Sequence, residues 1–557
     1  MSKASNVYVV DFETLNSQEA IEQKYSYVWL WDICRVSNLK HSTGTSIDEL
    51  FEILDNKNET MIIYSHNLKF DGSFILNHLL KYCKYTSEKA KNPLQLSCII
   101  DDKKNYYEIT YINKKCRKIS FRDSAKKIPS TVEQIAKAWH LPILKGSIDY
   151  KLHRPIGWLP TDEEIAYIHN DTEIIARVLQ LLYSEGMTKL TASSDSFNAY
   201  KKWFGKNNFD IVFPKFDIET DTFCRKAYQG GCCYANPRYL GKELYNVYCY
   251  DVNSMYPWAM ANCLLPYGMP IKKFGKPVYD EMYPLYITHI QVGMRVKEGM
   301  FPTIMRKGLY FSLKNEYITD TENQLVDLYI TNIDYETMLK HYDIYYIEFF
   351  ECYYFKASTK LLRDYILELY EIKNNSEGAQ KNLAKIKLNS LYGKFAMNPK
   401  RSIVEPKLVD GQLKLVIVDE IIGDPIYTPM AVFITSYCRN KLFKAIQSNY
   451  DLFVYCDTDS IHTIGKAVDI EIDDKELGAW KEEKHYTLFK CIAQKTYYGE
   501  TDTNKTILKA CGAPQSVKDT ITYDEFEIGR QFGGKLRPVQ VKGGVILVDT
   551  TFTFKER

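Results

Sequence analysis

The 557-residue sequence lacks the features that mark several specialised protein classes. Its fourteen cysteines form no CxxC pair, and Cys232 and Cys233 are simply adjacent, so neither a zinc site nor a disulfide framework is supported. No uncharged apolar run is long enough to span a bilayer, and no secretory signal opens the sequence. No internal repeat or low-complexity segment is present. We therefore expect a protein with reduced thiols that is not secreted and has no membrane partner.

The sequence also lacks an excess of charge of either sign, because 72 basic side chains nearly balance 70 acidic ones and leave a net charge of +2. This balance does not exclude a nucleic-acid partner, since such a protein needs a basic groove, and acidic metal sites cancel lysines elsewhere. Basic stretches occur at residues 114–118 and around Lys535, Arg537 and Lys542, but each one alone is better explained as a solvated surface. The length predicts at least two hydrophobic cores.

What the sequence does contain is acids at predicted strand ends. Asp11 and Glu13 follow an apolar strand predicted at residues 6–10, and side chains two positions apart on a strand share a face. Asp71 follows a second strand, predicted at residues 61–65, where a helix cap is the alternative role for an aspartate. These two segments alone are a weak indication of a metal site.

A third segment lies on a helix that the apolar period predicts over residues 162–184. Tyr167 and Asp171 are four positions apart on this helix and therefore share a face. Two divalent ions that bind the attacking and leaving oxygens of a phosphodiester need about four carboxylates, and Tyr167 would orient the attacking water. The four carboxylates of this set are Asp11, Glu13, Asp71 and Asp171.

A second acidic group is predicted where two distant strands end. Residues 245–250 form a strand-like run that ends in Asp251, and residues 452–456 lead into Asp457 and Asp459 at the tip of a predicted hairpin. Two acids at a hairpin tip repel each other unless a cation lies beside them. We therefore expect Asp251 to complete a second metal site at this tip.

A polar stripe lies on a helix predicted between these two segments. Lys385, Asn389 and Tyr392 fall at i, i+4 and i+7, and Lys381 lies one turn earlier on the same face. A cation, an amide and an aromatic ring on one stripe can hold the triphosphate, sugar and base of a nucleotide. A solvated helix face is the alternative for the lysines, and a core contact is the alternative for Tyr392.

Further elements are predicted from periodicity and turn signals. They are two helices within residues 360–396 that separate at 374–378, a hairpin over 403–427 with its turn at Asp410–Gly411, and short strands over 535–554 around Gly543–Gly544.

Taken in order, these segments resemble the motifs of family B DNA polymerases. D-x-E, N-x-x-x-D and Y-x-x-x-D are similar to the three motifs of a DnaQ-like exonuclease domain. D-V-N-S-M-Y-P, K-x-x-x-N-S-x-Y-G, Y-C-D-T-D-S and K-T-Y are similar to polymerase motifs. The resemblance implies an α/β multidomain fold in which a DnaQ-like (RNase H-like) exonuclease domain precedes a right-hand polymerase domain of palm, fingers and thumb, with two insertions.

The same resemblance implies a template-directed DNA polymerase with a proofreading 3′–5′ exonuclease. Each active site would hold two Mg²⁺ ions, with Mn²⁺ as the alternative. Asp251, Asp459 and Val252 are the metal ligands that it implies for synthesis, and Asp457 is an assisting acid. In the exonuclease centre the resemblance assigns Lys145 to the scissile phosphate, although a surface lysine is the alternative.

The resemblance also assigns contacts with substrates. Tyr256 would lie under the deoxyribose and exclude a 2′-hydroxyl, Tyr392 would pack on the nascent base pair, and Lys381 and Lys385 would neutralise the triphosphate, with Asn389 beside them. Leu15 departs from the hydroxyl residue that is frequent at its position. The expected DNA contacts are His66, Asn67, Phe70, Phe74, Ser124, Tyr228, Gly230, Gly231, Lys495 and Tyr497.

Within the family, the sequence is most similar to the protein-primed polymerases of small tailed phages with linear, terminal-protein-capped genomes. The segment Tyr-Gln-Gly-Gly at 228–231, the compact length and the tail Pro-Val-Gln-Val-Lys-Gly-Gly-Val carry this resemblance. It implies strand displacement and work in the cytoplasm of an infected bacterial cell, as a monomer. The implied partners are template and primer DNA, dNTPs, a priming terminal protein and a single-stranded DNA-binding protein.

The resemblance also divides the chain into segments. The first insertion would contact the terminal protein, and the second, a hairpin, would close a ring over the template for processivity and strand displacement. The expected segments are 1–190 (exonuclease), 191–262 (palm, first part), 263–360 (first insertion), 361–396 (fingers), 397–428 (second insertion), 429–519 (palm, second part) and 520–557 (thumb).

Four other interpretations compete with this one. A nucleic-acid-primed family B polymerase would lack the two insertions, and an enzyme of a mitochondrial linear plasmid would share the motifs. A non-catalytic DNA-binding replication factor would have lost a metal carboxylate, whereas all seven acids are present. A nuclease without polymerase activity would lack Asp251, Asp457 and Asp459.

Overall fold

The computed structural model describes residues 4–305 and 317–555. Residues 306–316, which fall within the insertion expected at 263–360, lie outside the described residues. Two large sheets, one four-stranded sheet and two long hairpins make up the β-structure of the described residues. Within the same residues, no helix combines the length and apolar character needed to cross a membrane.

The first part of the chain forms a mixed eight-stranded sheet with the strand order β3-β2-β1-β4-β8-β7-β6-β5. A one-turn 3₁₀ helix, Ser124–Lys126, follows its eighth strand. In chain order the elements are β1 (Val7–Thr14), α1 (Gln18–Gln23), β2 (Val28–Arg35), β3 (His41–Gly44), α2 (Ile47–Asp55), β4 (Met61–Ser65), α3 (Leu68–Leu79), β5 (Lys84–Tyr85), β6 (Gln95–Ile100), β7 (Tyr106–Ile112), β8 (Lys118–Asp123), α4 (Val132–Ala138) and α5 (Asp162–Ser184).

Local chemistry explains why the helices of this part begin where they do. A capping box at the start of α5 pairs Thr161 with Glu164, and α5 covers the residues predicted for it, 162–184. Helix α3 begins after Asn67, whose backbone is left-handed (φ 71°), so the chain turns sharply from β4 into the helix. Two apolar clusters pack around this sheet.

The second large sheet has the order β21-β20-β19-β10-β18-β17-β9 and packs on helices that form the largest apolar cluster. A separate sheet with the order β11-β14-β12-β13 lies within the insertion expected at 263–360. In chain order the elements as far as α12 are α6 (Ala192–Phe204), α7 (Lys206–Val212), α8 (Ile218–Lys226), β9 (Cys233–Ala235), β10 (Val247–Val252), α9 (Met255–Asn262), β11 (Leu265–Phe274), β12 (Leu285–Val296), β13 (Val326–Thr331), α10 (Asn332–His341), β14 (Tyr342–Ser358), α11 (Arg363–Asn375) and α12 (Gly378–Phe395).

Helices α11 and α12 confirm the two helices predicted within 360–396. The remaining elements complete the second sheet and form two hairpins, β15–β16 and β22–β23. In chain order they are β15 (Lys400–Val409), β16 (Gln412–Ile422), α13 (Thr428–Ser448), β17 (Phe453–Asp457), β18 (Ser460–Ile464), β19 (Trp480–Ala493), β20 (Thr496–Thr501), β21 (Thr506–Ala510), α14 (Gln515–Lys518), β22 (Gln531–Val541) and β23 (Gly544–Thr553).

The tips of the two hairpins meet on the first part of the chain. The β15–β16 turn is Asp410–Gly411, both with positive φ (52° and 76°), as predicted for a two-residue hairpin turn. Gln412 forms a bridge with Lys542 at the tip of β22–β23. The carbonyl oxygen of Gly411 accepts a hydrogen bond from Asn77 Nδ2 of α3 (3.0 Å). The two hairpin tips therefore contact each other, and both contact α3.

Candidate active sites

The first acidic centre joins three elements of the eight-stranded sheet domain. Asp11 and Glu13 lie on β1, Asp71 lies in the first turn of α3, and Asp171 lies on α5. All four line one cleft. Ser65 Oγ donates a hydrogen bond to Asp71, which lies inside α3 and does not act as its cap.

The electrostatics of this centre favour bound cations. Burial raises the pKa of Asp11, and the neighbouring carboxylates raise it further. Burial together with Asp171 raises the pKa of Glu13 to about 8, and burial raises that of Asp71 to about 7. Asp171 Oδ1 is buried with no hydrogen-bond partner. Buried acids that repel one another and leave an oxygen unpaired fit bound divalent ions with oxygen ligands.

Lys145 and two tyrosines complete the wall of the cleft. Lys145 Nζ lies 2.5 Å from Asp171 Oδ2 and 5.2 Å from the centroid of the Tyr167 ring. Burial lowers the pKa of Lys145, but the Asp171 carboxylate outweighs burial and holds that pKa above its ordinary value. The hydroxyls of Tyr167 and Tyr150 are 2.5 Å apart. Tyr150 is a residue that sequence reasoning missed, although it directly follows the Lys145–Asp149 segment.

Five residues expected to contact single-stranded DNA separate into two groups. His66, Asn67 and Phe70 line the cleft of the first centre. Phe74 is only 1% exposed and packs closely against Gly544 at the tip of β22–β23. Ser124 is buried and hydrogen-bonds His66 Nδ1 (2.9 Å). Phe74 and Ser124 therefore support the residues that line the cleft, and direct contact of their side chains with DNA stays a prediction.

The second acidic centre lies on the seven-stranded sheet. Strand β18 is the neighbour of both β10 and β17, and Ser460 of β18 pairs with Asp251 on one side and Asp457 on the other. Thr458 in the turn has φ 62°, which places Asp459 beside β10, where the Val252 amide donates to the Asp459 carbonyl oxygen (2.8 Å). The tertiary structure thus brings Asp251 to the acidic tip, as predicted.

The acids of this centre also fit bound divalent ions. Burial, followed by repulsion from Asp459, raises the pKa of Asp251 to about 7. Burial raises the pKa of Asp459 to about 6. Glu483 of β19, which sequence reasoning missed, contributes repulsion to both carboxylates. Lys495 Nζ lies 3.0 Å from Asp457 Oδ1, so Asp457 is partly neutralised within the protein.

A basic wall borders the second centre. Lys495 and Tyr497 line its cleft together with Lys509 and Lys518, which sequence reasoning missed. Tyr497 is largely buried, and its ring packs against Tyr455 (centroids 5.6 Å apart). These lysines form a positive edge beside the acids, suited to the phosphates of a nucleic-acid strand.

The segment at 228–231 is fixed against the same turn. A Cβ atom on Gly231 would lie 2.8 Å from Thr458 Cγ2 and 3.1 Å from its Cα, so only glycine permits this approach. Arg439 of α13 donates to the carbonyl oxygens of Gln229 (2.7 Å) and Gly230 (3.1 Å). Tyr228 packs partly buried against the largest apolar cluster.

A nucleotide-sized array lies on α9, α11 and α12. Tyr256 and Tyr392 stack with their ring centroids 4.2 Å apart. Lys373 of α11 donates to Ser254 Oγ (2.8 Å), and burial, followed by repulsion from Lys385 and Lys381, lowers its pKa. Lys373 thus joins the two predicted lysines as a third cation, and sequence reasoning missed it. Asn389 lies on α12 together with Lys381 and Lys385.

This geometry is that of a template-directed DNA polymerase that uses divalent metal ions. The sequence profile described as DNA polymerase type B, organellar and viral, matches residues 54–160 and 153–476. The chain belongs to this family of type B DNA polymerases.

Individual relatives agree with this assignment. The chain is 39% identical to the DNA polymerase of Bacillus phage Nf and to that of Bacillus phage phi29, in each case over 99% of both chains. A solved structure of phi29 DNA polymerase with primer-template DNA and incoming nucleotide substrates matches with a TM-score of 0.92 and 38% identity, over 99% of this chain and 100% of that chain. The expected α/β multidomain fold of a family B polymerase is confirmed.

Proposed function

We propose that this chain is a protein-primed DNA polymerase that proofreads its product, displaces the non-template strand and replicates a linear viral genome. The observation that carries this proposal is the separation of two acidic centres on two different sheets, both within one chain. The proposal includes work as a monomer in the cytoplasm of an infected bacterial cell, with template, primer and dNTPs as substrates; DNA polymerases of Bacillus phages are among its relatives.

In the synthetic centre, Asp251, Asp459 and the backbone of Val252 would hold the metal ions. Two Mg²⁺ ions bound there would activate the primer 3′-hydroxyl and neutralise the leaving pyrophosphate. Lys373, Lys381 and Lys385 would neutralise the triphosphate of the incoming nucleotide. Asp457, paired with Lys495, would fix that lysine beside the primer end.

In the proofreading centre, Asp11, Glu13, Asp71 and Asp171 would hold divalent ions. Tyr167, with its hydroxyl against that of Tyr150, would orient the water that attacks the terminal phosphodiester. Lys145 would stabilise the charge that develops on the scissile phosphate.

The sheet within 263–360 is proposed to contact the priming terminal protein. The end of β11 and the loop that follows it expose four large apolar side chains within nine residues, between 71% and 77% of each, and such exposure marks a protein-binding surface. They are Phe274, Val278, Tyr279 and Met282. Alanine at all four should reduce transfer of the first nucleotide to the terminal protein and leave DNA-primed extension intact. Unchanged transfer would contradict this partner assignment.

Variants of the acids test the division into two centres. Asp457→Ala or Asp459→Ala should abolish extension and leave digestion of single-stranded DNA, whereas Asp11→Ala with Asp71→Ala should do the converse. Loss of both activities in either variant, with the fold retained, would contradict two independent centres.

Synthesis on a long single-stranded circle tests the full proposal. With Mg²⁺, four dNTPs and no helicase or clamp, products many times longer than the circle are expected. Arrest after one lap around the circle would agree with polymerase activity but favour a nucleic-acid-primed enzyme that needs accessory factors. Absence of extension would refute the proposal. A single-stranded DNA-binding protein, proposed as a further partner, should increase the yield of displaced strand.

A further inference from the structure

A group of metal-ligating side chains lies outside both acidic centres. Asp32 on β2, His41 on β3 and His169 on α5 each offer one ligand atom, and these atoms lie within 4.8 Å of one another. Neither proposed activity uses these three residues. The group joins two consecutive strands to a helix that is distant in sequence, so only the fold completes it.

Strand register explains why two of these residues meet. Asp32 pairs with Thr43 and Cys34 pairs with His41 across β2 and β3. Since side chains alternate along a strand and cross-strand partners share a face, Asp32 and His41 project to the same side. Helix α5 covers this side with His169, Thr172 and Glu173, which follow one another at i, i+3 and i+4.

Asp32 is completely buried, and only one of its two carboxylate oxygens has a hydrogen-bond partner. Its Oδ2 atom lies 2.8 Å from His41 Nδ1 and accepts a hydrogen bond from Thr172 Oγ1. Its Oδ1 atom has no hydrogen-bond partner and lies 3.5 Å from His169 Nε2, which is also buried without one. A buried carboxylate oxygen facing an unpaired imidazole nitrogen is costly unless a further atom lies between them.

The second imidazole presents a similar pair of atoms. With Nδ1 directed at Asp32, His41 leaves Nε2 at 3.5 Å from Glu173 Oε2. Arg177 binds the other oxygen of Glu173. The His41 and His169 rings stack with their centroids 4.2 Å apart. Ligand atoms around a tetrahedral zinc ion, with bonds of about 2.0–2.1 Å, are separated by about 3.3–3.5 Å, which the Asp32 Oδ1–His169 Nε2 pair matches.

We propose that Asp32, His41 through Nδ1 and His169 through Nε2 form a binding site for a divalent transition-metal ion of the zinc class, with a water molecule in the fourth position. Two imidazoles select such an ion over Mg²⁺, which prefers an all-oxygen site. Glu173 Oε2, which lies 3.5 Å from His41 Nε2, would orient that ring, as carboxylates do for metal-bound histidines. The two carboxylates, Asp32 and Glu173, outnumber the one arginine, Arg177, so the group carries a net negative charge that favours a bound cation.

The ion would tie α5 to β2 and β3. Helix α5 also carries Tyr167 and Asp171, and Asp32 is the cross-strand partner of Asp11. The metal site would therefore fix the position of the helix that completes the first acidic centre. Binding of the ion itself does not depend on either proposed activity.

The test uses the full chain with Asp11→Ala and Asp71→Ala, so that the neighbouring carboxylate centre does not compete. The protein is incubated with Zn²⁺ in excess Mg²⁺, freed of unbound metal by gel filtration and analysed by elemental mass spectrometry. About one zinc per chain is expected. His41→Gln and His169→Gln, each in that background, should weaken binding at least about tenfold, in line with loss of a ligand. His289→Gln is the matched control, since His289 also pairs with an aspartate, Asp327 (3.1 Å), and should retain the zinc.

A spectroscopic measurement covers the case in which a histidine variant does not fold. Co²⁺ added to the background protein should give the intense visible bands of a four-coordinate site with imidazole ligands. Zinc retention by the background protein no greater than by the histidine variants, or a weak six-coordinate Co²⁺ spectrum, would overturn the proposal. Primer extension by each variant reports whether the rest of the chain is folded.

Discussion

Tyr256 in the first turn of α9 stacks face to face on Tyr392 of α12, with ring centroids 4.2 Å apart and planes inclined by only 4°. The two residues are far apart in sequence, and each was predicted separately to contact the nucleotide. Their stacking fixes the Tyr256 ring in one plane, as a rigid barrier needs.

This barrier predicts how the enzyme selects its sugar. Tyr256→Val should raise the relative incorporation of ribonucleotides about 10–100-fold, because the ring that would meet a 2′-hydroxyl is gone. Tyr256→Phe keeps the ring and should keep the selectivity. The measurement compares kcat/KM for rNTP and dNTP in single-nucleotide extension. Equal selectivity of Tyr256→Val and the wild type would place the barrier elsewhere.

Lys373 supplies the second prediction. Its removal in Lys373→Ala takes away a half-buried cation beside Lys381 and Lys385, so kcat/KM for dNTP should fall about 10–100-fold, mainly through KM. Lys387→Ala is the control, because Lys387 on the same helix pairs with Glu185 (3.2 Å). Steady-state extension kinetics measure both variants, and a normal KM in Lys373→Ala would contradict a role for Lys373 in nucleotide binding.

The β15–β16 hairpin supplies the third prediction. The Gly423 amide donates to the Pro399 carbonyl oxygen (2.9 Å), so residues 400–422 can be removed and the ends joined without strain at the base. Loss of the contact between the hairpin tips should shorten products on long templates about 10-fold or more in the presence of excess trap DNA. Addition of a single nucleotide should persist. Undiminished product length would exclude a role in processivity.

The acid centres supply the fourth prediction, on stability and pH. Glu13, Asp71, Asp251 and Asp459 have pKa values raised to about 8, 7, 7 and 6, whereas acids in an unfolded chain titrate near 4 (about 3.9–4.3). The folded chain therefore binds more protons, and its stability falls as pH rises through these values. With chelator present, Tm should decrease from about pH 5 to about pH 8.

Bound divalent ions should reverse this loss, because they favour the ionised carboxylates. Addition of Mg²⁺ at about pH 8 is expected to raise Tm more than at about pH 5. Asp71→Asn with Asp251→Asn removes two of the acids and should flatten the decrease seen with chelator. A Tm that rises with pH in the metal-free wild type would show that the two centres are not strained by their own charge.

The sequence determined most of the local structure and the content of both acidic centres. The apolar period from Ile165 to Leu182 and the capping pair Thr161–Glu164 specify α5, because helix periodicity and caps are local properties. Asp410–Gly411 specifies a hairpin turn for the same reason. Asp251 and the acids at 457 and 459 were recognised as one site because unneutralised acids at strand ends indicate a cation.

Only the tertiary structure decided which side chains from distant segments meet. Lys373 carries no motif of its own, and its role follows from the packing of α11 against α9 and α12. Phe74 is predicted from the sequence to contact DNA, and only the tertiary structure shows that Gly544, from a hairpin distant in sequence, packs on its ring. Asp32, His41 and His169 are unremarkable in sequence. Strand register and the docking of α5 bring them together, and such long-range contacts leave no local pattern in the chain.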